Sequence, residues 1–258
     1  MYHFFVDKDN ILDDSILIKG DDYNHAVNVL RLKPGERVMI SDPDGTDYMC
    51  SVASVEENEE EAALRLLIEE VCEDNHELPA RVVLFQCLPK TDKMELIIQK
   101  AAELGVSDIV PVASKNCVVK LDDKKSENKQ KRWQAIAESA AKQSKRSIIP
   151  RIHNVMSFKE AVELCEGLDV RLIPYEDEKG LTATCEAIVS FIPGRSIGVF
   201  IGPEGGFDQL EVSMAKRHGI VPISLGKRIL RTETAAIAIL SLIMIRLEIA
   251  AGMDLSDE

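Results

Sequence analysis

The chain has 258 residues, 45% of them hydrophobic and 29% charged, with a formal net charge of −13. That composition excludes a disordered or collagen-like polypeptide and leaves one large or two modest globular domains. The acid excess excludes indiscriminate nucleic-acid binding, so the distribution of charge carries more information than its sum.

The first 73 residues hold 18 acidic against 6 basic side chains. The opening MYHFFVDKDN lacks the basic and apolar segments of a secretory signal. FFVD, ILIK, ERVMISD and DYMCSVASV then read as short strands, with Asp44-Gly45 as a hairpin turn and HAVNVLRL as a short helix. Several short strands in so few residues predict a small β-barrel. The acidic run at 56–61 predicts a solvated loop or strand edge. EDNHELP, with Pro79, reads as a linker, so a domain boundary is expected near 73–80.

Beyond the linker the pattern changes. RVVLFQCL is continuously apolar, as in a strand buried on both faces. DKMELIIQKAAELG places Met94, Ile97, Ile98, Ala101 and Leu104 on one helical face, with Gly105 closing the helix. DIVPVA, VRLIPYE, SIGVFIGPEGG and IVPISLG predict further strands. NKQKRWQAIAESAAKQSKR, FKEAVELCE, TCEAIVSF, DQLEVSMAKRHG and TETAAIAILSLIMIRLEIAAG predict helices. Asp208 and Glu211 have the spacing of a capping box, and Gly219 that of a C-terminal cap. Alternating strands and helices predict an α/β domain with a mostly parallel sheet. AAIAILSLIMI, 235–245, is shorter than the about 20 apolar residues that span a bilayer. It reads as a helix buried in a core or a subunit interface, and no membrane partner is expected. None of the six cysteines forms a CxxC pair and no histidine has a ligand-spaced neighbour. These residues predict reduced thiols, a cytoplasmic location and no metal.

Four stretches have the character of a site. IGPEGGF, 201–207, runs from a buried strand into a glycine loop; read alone it is equally a plain β–α turn. SLGKRILRTETAA, 224–236, places Lys227, Arg228 and Arg231 between a Leu-Gly turn and the last helix, where backbone groups and Leu225, Ile229 and Leu230 can wrap an adenosine. Two such loops at the carboxyl ends of consecutive strands share one crevice, the usual ligand position in open α/β sheets. Lys93, Lys100 and Glu103 form a charged stripe opposite the apolar face of their helix, either a solvated ion-paired face or a contact surface. Residues 115–151, finally, hold 11 basic against 4 acidic side chains, a density that suits phosphate contacts.

In this order, HFFV, KTDKMELIIQKAAELGV, AESAAKQSKR, IGPEGGF and LGKRILRTETAA resemble the RsmE family, the 16S rRNA (uracil-N3) methyltransferases of the SPOUT class, over the whole chain. The resemblance implies a PUA-like β-barrel over residues 1–73 that assists RNA binding. It implies a methyltransferase domain over 74–258 with a trefoil knot, a feature sequence physics would not propose. It implies S-adenosylmethionine as cofactor, a homodimer through the apolar last helix, and 16S rRNA within the assembled small subunit as partner. Carried over residue by residue, Ile201, Gly202, Pro203, Glu204, Gly205 and Gly206 line one side of the cofactor. Leu225, Gly226, Ile229, Leu230, Arg231 and Thr234 line the other, and Leu172, Ile173 and Pro174 touch the adenosine. Lys93, Lys115, Lys142, Lys145 and Arg146 are the expected RNA contacts.

Arg231 is the expected catalytic residue, orienting the uracil and stabilising charge on its carbonyl oxygens. The general base is left open; Glu204 and Glu233 are the nearby carboxylates. Ribose 2′-O methylation and a non-catalytic RNA-binding factor remain as alternatives. A nicotinamide-dependent oxidoreductase lacks its glycine fingerprint here.

Overall fold

The computed structural model describes residues 1–57, 62–72, 76–90, 92–119 and 122–254. Most of the acidic run at 56–61 and the start of the expected linker lie outside them. The chain divides into two compact units, Met1–Glu77 with Ala141–Ile148, and Leu78–Ala140 with Ile149–Glu258.

The first unit is built on β1 (Tyr2–Phe5), β2 (Ser15–Lys19), β3 (Arg37–Ser41), β4 (Asp47–Glu57) and β5 (Ala62–Cys72). Their order in the sheet is β1-β3-β4-β5-β2, with β1 parallel to β3 and the other pairs antiparallel. Asp44-Gly45 turns the chain between β3 and β4 as expected, and Asp42 Oδ1 accepts the N–H groups of Asp44 and Thr46, each at 2.9 Å. Register shifts at Met49/Cys50 and Val52/Ser54 bend β4. Phe4, Ile16, Ile18, Val38, Ile40, Leu64 and Leu66 fill the core. The helical segment begins earlier than HAVNVLRL suggests: α1 (Gly20–Asn24) runs into a π-helical turn over His25–Val29.

Residues 141–148, expected in the second domain, fold with the first unit. Arg146 is buried and pairs with Glu77, its Nε 3.1 Å from Oε1. Glu77 also accepts the Ile148 N–H at 3.1 Å, and Ser147 donates its hydroxyl to Asp47 at 2.7 Å. Lys142 Nζ pairs with Asp22 at 2.9 Å. Two sequence-distant segments thereby satisfy each other's buried charges, an arrangement that depends on both being present.

The second unit follows the α/β reading. Its strands are β6 (Arg81–Cys87), β7 (Asp108–Ala113), β8 (Arg151–Ile152), β9 (Met156–Ser157), β10 (Val170–Pro174), β11 (Ser196–Ile201) and β12 (Val221–Ile223). They form one sheet in the order β12-β10-β11-β6-β7-β8, with β9 also on β7, and every pairing is parallel. The helices are α2 (Lys93–Glu103), α3 (Asp123–Ser144, whose last turn belongs to the first unit), α4 (Phe158–Cys165), α5 (Thr182–Ser190), α6 (Gln209–Arg217) and α7 (Thr232–Asp254). α6 carries the expected capping box of Asp208 and Glu211. In α2 Met94, Ile97, Ile98 and Ala101 are buried, while Lys100 pairs with Glu103 at 2.7 Å.

α7 is longer than its most apolar stretch. Thr232–Gly252 is long and apolar enough to cross a membrane by length and composition, its most apolar window having a mean hydropathy of 2.0, yet only 28% of that window is buried. Ala236, Ile239, Leu240, Ile243 and Leu247 enter the core, whereas Ile245 and Ile249 are 50% and 47% exposed. The outer face of α7 is therefore apolar and, among the described residues, uncovered.

Candidate active site

β12, β10 and β11 are neighbours at one edge of the parallel sheet, with Leu172 of β10 opposite both Val221 and Val199. Parallel strands in register deliver their carboxyl ends to one crevice. The loops leaving them enclose a cavity of about 380 Å³, within the range of small-molecule sites. β10 contributes its last residue, Pro174, and beyond it lie Tyr175 and Glu176. Beyond β11 lie Gly202, Pro203, Glu204, Gly206 and Phe207, and beyond β12 every residue from Ser224 to Thr232. Ile201, Ala235 of α7 and Lys93 of α2 complete the wall.

The glycine turn after β11 is held from several sides. Thr232 donates its hydroxyl to Gly202 O at 2.7 Å and accepts Gln86 Nε2 at 3.0 Å. Asn116 Nδ2 donates to the carbonyls of Gly205 and Gly206 at 3.2 Å. The Lys90 N–H reaches both carboxylate oxygens of Glu204, at 3.1 and 3.2 Å. Thr232 and Gln86 are buried, so no water replaces a lost partner. Thr232→Val is expected to destabilise the chain by about 1–3 kcal/mol, the cost of a buried polar group left unpaired. Urea unfolding checks this, and an unchanged midpoint would remove Thr232 from the role.

One lysine ties two elements of the wall together. Lys93 Nζ lies 3.1 Å from Glu204 and 3.3 Å from Glu233. Hydrogen bonding to Glu204, above all, holds the Lys93 ammonium above the ordinary lysine value. Burial pushes Glu204 up, but the hydrogen bonds from backbone N–H groups and Lys93 outweigh it, and the carboxyl sits below the usual value. Glu233 Oε2 is buried and meets Lys93 as an ion pair without an aligned hydrogen bond.

The opposite wall is open and cationic. Gly226 has a φ of +107°, and a Cβ there would find no atom within 4 Å. Its backbone is thus free to meet a ligand face on, in a conformation other residues resist. Lys227, Arg228 and Arg231 are exposed around it, and Ile229 is 85% exposed beside them.

Eleven residues singled out for the cofactor line this cavity: Pro174, Ile201, Gly202, Pro203, Glu204, Gly206, Leu225, Gly226, Ile229, Leu230 and Arg231. Leu172 and Ile173 do not, because they are buried inside β10. Gly205 faces Asn116, and Thr234 lies on the exposed side of the first turn of α7. Phe207, Ser224, Thr232 and Ala235, inside the two glycine-loop stretches but with no role assigned by the sequence, also line the cavity, and so do Tyr175 and Glu176. Glu176 had a signal, since VRLIPYE carries a carboxylate just past its strand end.

The expected RNA contacts scatter. Arg146 is corrected outright: at 2% exposure its guanidinium serves Glu77. Lys93 faces the cavity. Lys115 pairs with Asp208, the N-cap of α6, at 2.6 Å. Lys142 pairs with Asp22, and Lys145 is exposed at a φ of 59°.

The RNA methyltransferase domain family matches residues 76–244, and the RNA methyltransferase PUA domain family matches residues 18–64. A ribosomal RNA small subunit methyltransferase E from Bacillus subtilis (strain 168) is 38% identical over 238 residues, 91% of each chain. This chain belongs to the ribosomal RNA small subunit methyltransferase E family. Another member of the family, from Synechocystis sp., is 32% identical over 96% of this chain and 78% of its own length. The crystal structure of the family member from Neisseria gonorrhoeae, bound to S-adenosyl methionine, matches with a TM-score of 0.82 at 28% identity, covering 95% of this chain and 97% of that one. Membership in the family accounts for the α/β architecture and for a PUA-type module at the N-terminus.

Proposed function

We propose that this chain methylates 16S rRNA of the small ribosomal subunit, transferring the methyl group of S-adenosylmethionine to N3 of a specific uracil. The observation that carries the reading is the cavity itself, set where three parallel strands end, in a chain of this family. Its lining fits the cofactor. The open backbone at Gly226 with Leu225, Ile229 and Leu230 suits a flat base. Glu176 offers an acceptor for ribose hydroxyls, and Gly202 and Pro203 close the far side. When bound, S-adenosylmethionine supplies an electrophilic methyl group on a sulfonium.

The residues of the chain then have separable tasks. Arg231 orients the uracil and stabilises negative charge on the carbonyl oxygens flanking N3 as its proton is lost to solvent. Lys93 is held protonated, so it is a fastener and not a base. Glu204, held ionised by Lys93 and Lys90, is a weak proton acceptor. Cavity walls that hold both reactants in line account for a further part of the acceleration.

The Lys93–Glu204 tie makes cofactor affinity depend on pH in a defined direction. Glu204 is depressed below 4.5, so its contribution is present above that value and lost as pH falls through the lowered one. Lys93 is raised above 10.5, so its contribution is complete below that value and lost as pH rises through the raised one. Calorimetric titration with S-adenosylmethionine is expected to show affinity flat between pH 4.5 and 10.5, with losses only as pH falls below the first value or rises above the second. A step inside the window would assign the dependence to another group.

The homodimer belongs to the same proposal. A second copy of the chain is the occupant that fits the uncovered apolar face of α7. Ile245→Glu is expected to convert a dimer into a monomer in sedimentation equilibrium; a monomeric parent chain would sink this reading. The trefoil knot is proposed with it. What supports it is that β12 lies at the sheet edge beyond β10, while Thr232 is bonded back to Gly202 and Gln86 across the sheet.

The deciding experiment uses labelled S-adenosylmethionine and small subunits lacking the modification, followed by nucleoside analysis. Label in 3-methyluridine is expected. Label in a 2′-O-methylated nucleoside would replace the acceptor, and cofactor binding without transfer to RNA would remove the substrate.

A further inference from the structure

The start of α2 has two sides. Lys93 faces the cofactor cavity, while Asp92 and Met94 line a second cavity of about 160 Å³. Its floor is apolar: Leu88, Met94 and Trp133 are 3%, 3% and 2% exposed. Its rim carries half-buried Val119 and the exposed side chains of Asp92 and Lys129. Lys129 Nζ stands 5.8 Å from the centre of the Trp133 ring. Among the described residues neither Asp92 nor Lys129 belongs to an ion pair, whereas Lys93 and Glu204 at the first cavity pair with each other. The slot opens beside the lysine-rich first half of α3.

We propose that this second cavity takes a nucleobase of the substrate RNA, a neighbour of the base that is modified. The inference rests on the RNA-methylation reading and adds a subsite to it. The volume accommodates one ring and little more. The floor of indole and aliphatic side chains offers apolar contact to a base that enters the slot, as aromatic residues do in single-stranded RNA recognition. A carboxylate and an ammonium at the rim match a base edge that presents both N–H donors and carbonyl acceptors. The lysines of α3 supply the positive field that a phosphate backbone requires. Because the start of α2 is a wall of both cavities, a strand with its target base extruded into the first has an adjoining base at the second.

Trp133 is the sole tryptophan of the chain, so its fluorescence reports on this cavity directly. The full chain, saturated with S-adenosylmethionine, is titrated with single-stranded oligouridylate and, separately, with ribose 5-phosphate. Saturable quenching by the oligonucleotide and none by the sugar phosphate is expected. Val119→Phe fills the slot from its rim and keeps the reporter; it is expected to weaken oligonucleotide binding roughly tenfold, with cofactor affinity unchanged as the check on folding. Absence of quenching, or equal affinity in Val119→Phe, overturns the proposal. Methylation of subunits measured alongside separates the two readings. Methyl transfer without quenching discards the subsite alone, whereas quenching sensitive to Val119→Phe without methyl transfer keeps the nucleobase site and discards uracil methylation.

Discussion

Arg231→Ala is expected to lower turnover about 10²–10³-fold while leaving cofactor affinity within a few-fold of the parent. Loss of a preorganised donor to a developing oxyanion has that magnitude. The residue stands in the cationic loop after β12, exposed at the cavity wall, immediately before Thr232 anchors the start of α7. Its backbone is thus fixed while its side chain is free to reach a second substrate. Lys227 and Arg228 stand in the same loop, so Arg231→Lys is the informative companion: a lysine keeps the charge and loses the forked geometry. Single-turnover rates measured with saturating S-adenosylmethionine distinguish the cases. A turnover near that of the parent in Arg231→Ala would transfer the role to another cation of the loop.

Phe200→Ala is expected to cost about 3–5 kcal/mol of stability, the usual range for emptying a large aromatic site in a core. Phe200 is fully buried on β11 and stacks on Phe85 of β6 with ring centres 4.4 Å apart and planes 5° from parallel. Phe158 packs against Phe200 at 5.6 Å and against Phe207 at 5.9 Å. Phe207 in turn lies 3.1 Å from the point where a side chain on Gly202 would begin. These rings connect the centre of the sheet to the turn that lines the cofactor cavity. The substitution should therefore lower the melting temperature by on the order of 10 °C and weaken cofactor binding as well. Phe200→Leu, which leaves a smaller void, should recover much of both. A normal cofactor affinity in a chain destabilised by this amount would show that the turn does not depend on the stack.

Much of this architecture was legible in the amino-acid order. Continuous apolar runs marked β6, β7 and β11, and the shift from alternating to helical periodicity marked the change of class after the linker. β5 leaves a weaker signal: Leu64, Leu66 and Ile68 alternate with Arg65 and Leu67 as an inward face requires, but the acidic run before it has the composition of a solvated loop. β8 and β9, of two residues each, are too short to leave a period. In the site, glycine loops and their order were visible because glycine and strand ends leave local signatures. The roles of Lys93, Asn116 and Thr232 were not, since each acts on a residue 30 to 146 positions away. Charge density misled for Arg146 for the same reason: a basic run says nothing of which cation is folded inward onto a distant carboxylate.

The joining of residues 141–148 to the N-terminal unit has a bearing on the order of events during synthesis. Arg146 and Ser147 complete the polar contacts of Glu77 and Asp47, so a nascent chain that has delivered only its first 77 residues holds carboxylates still waiting for their partners. At ordinary elongation speeds the missing octapeptide emerges on the order of several seconds later, and the module that begins the chain is not the first to finish. An isolated fragment ending at residue 77 should accordingly remain a loose intermediate by near-ultraviolet circular dichroism, and a peptide spanning 141–148, added in trans, should tighten it.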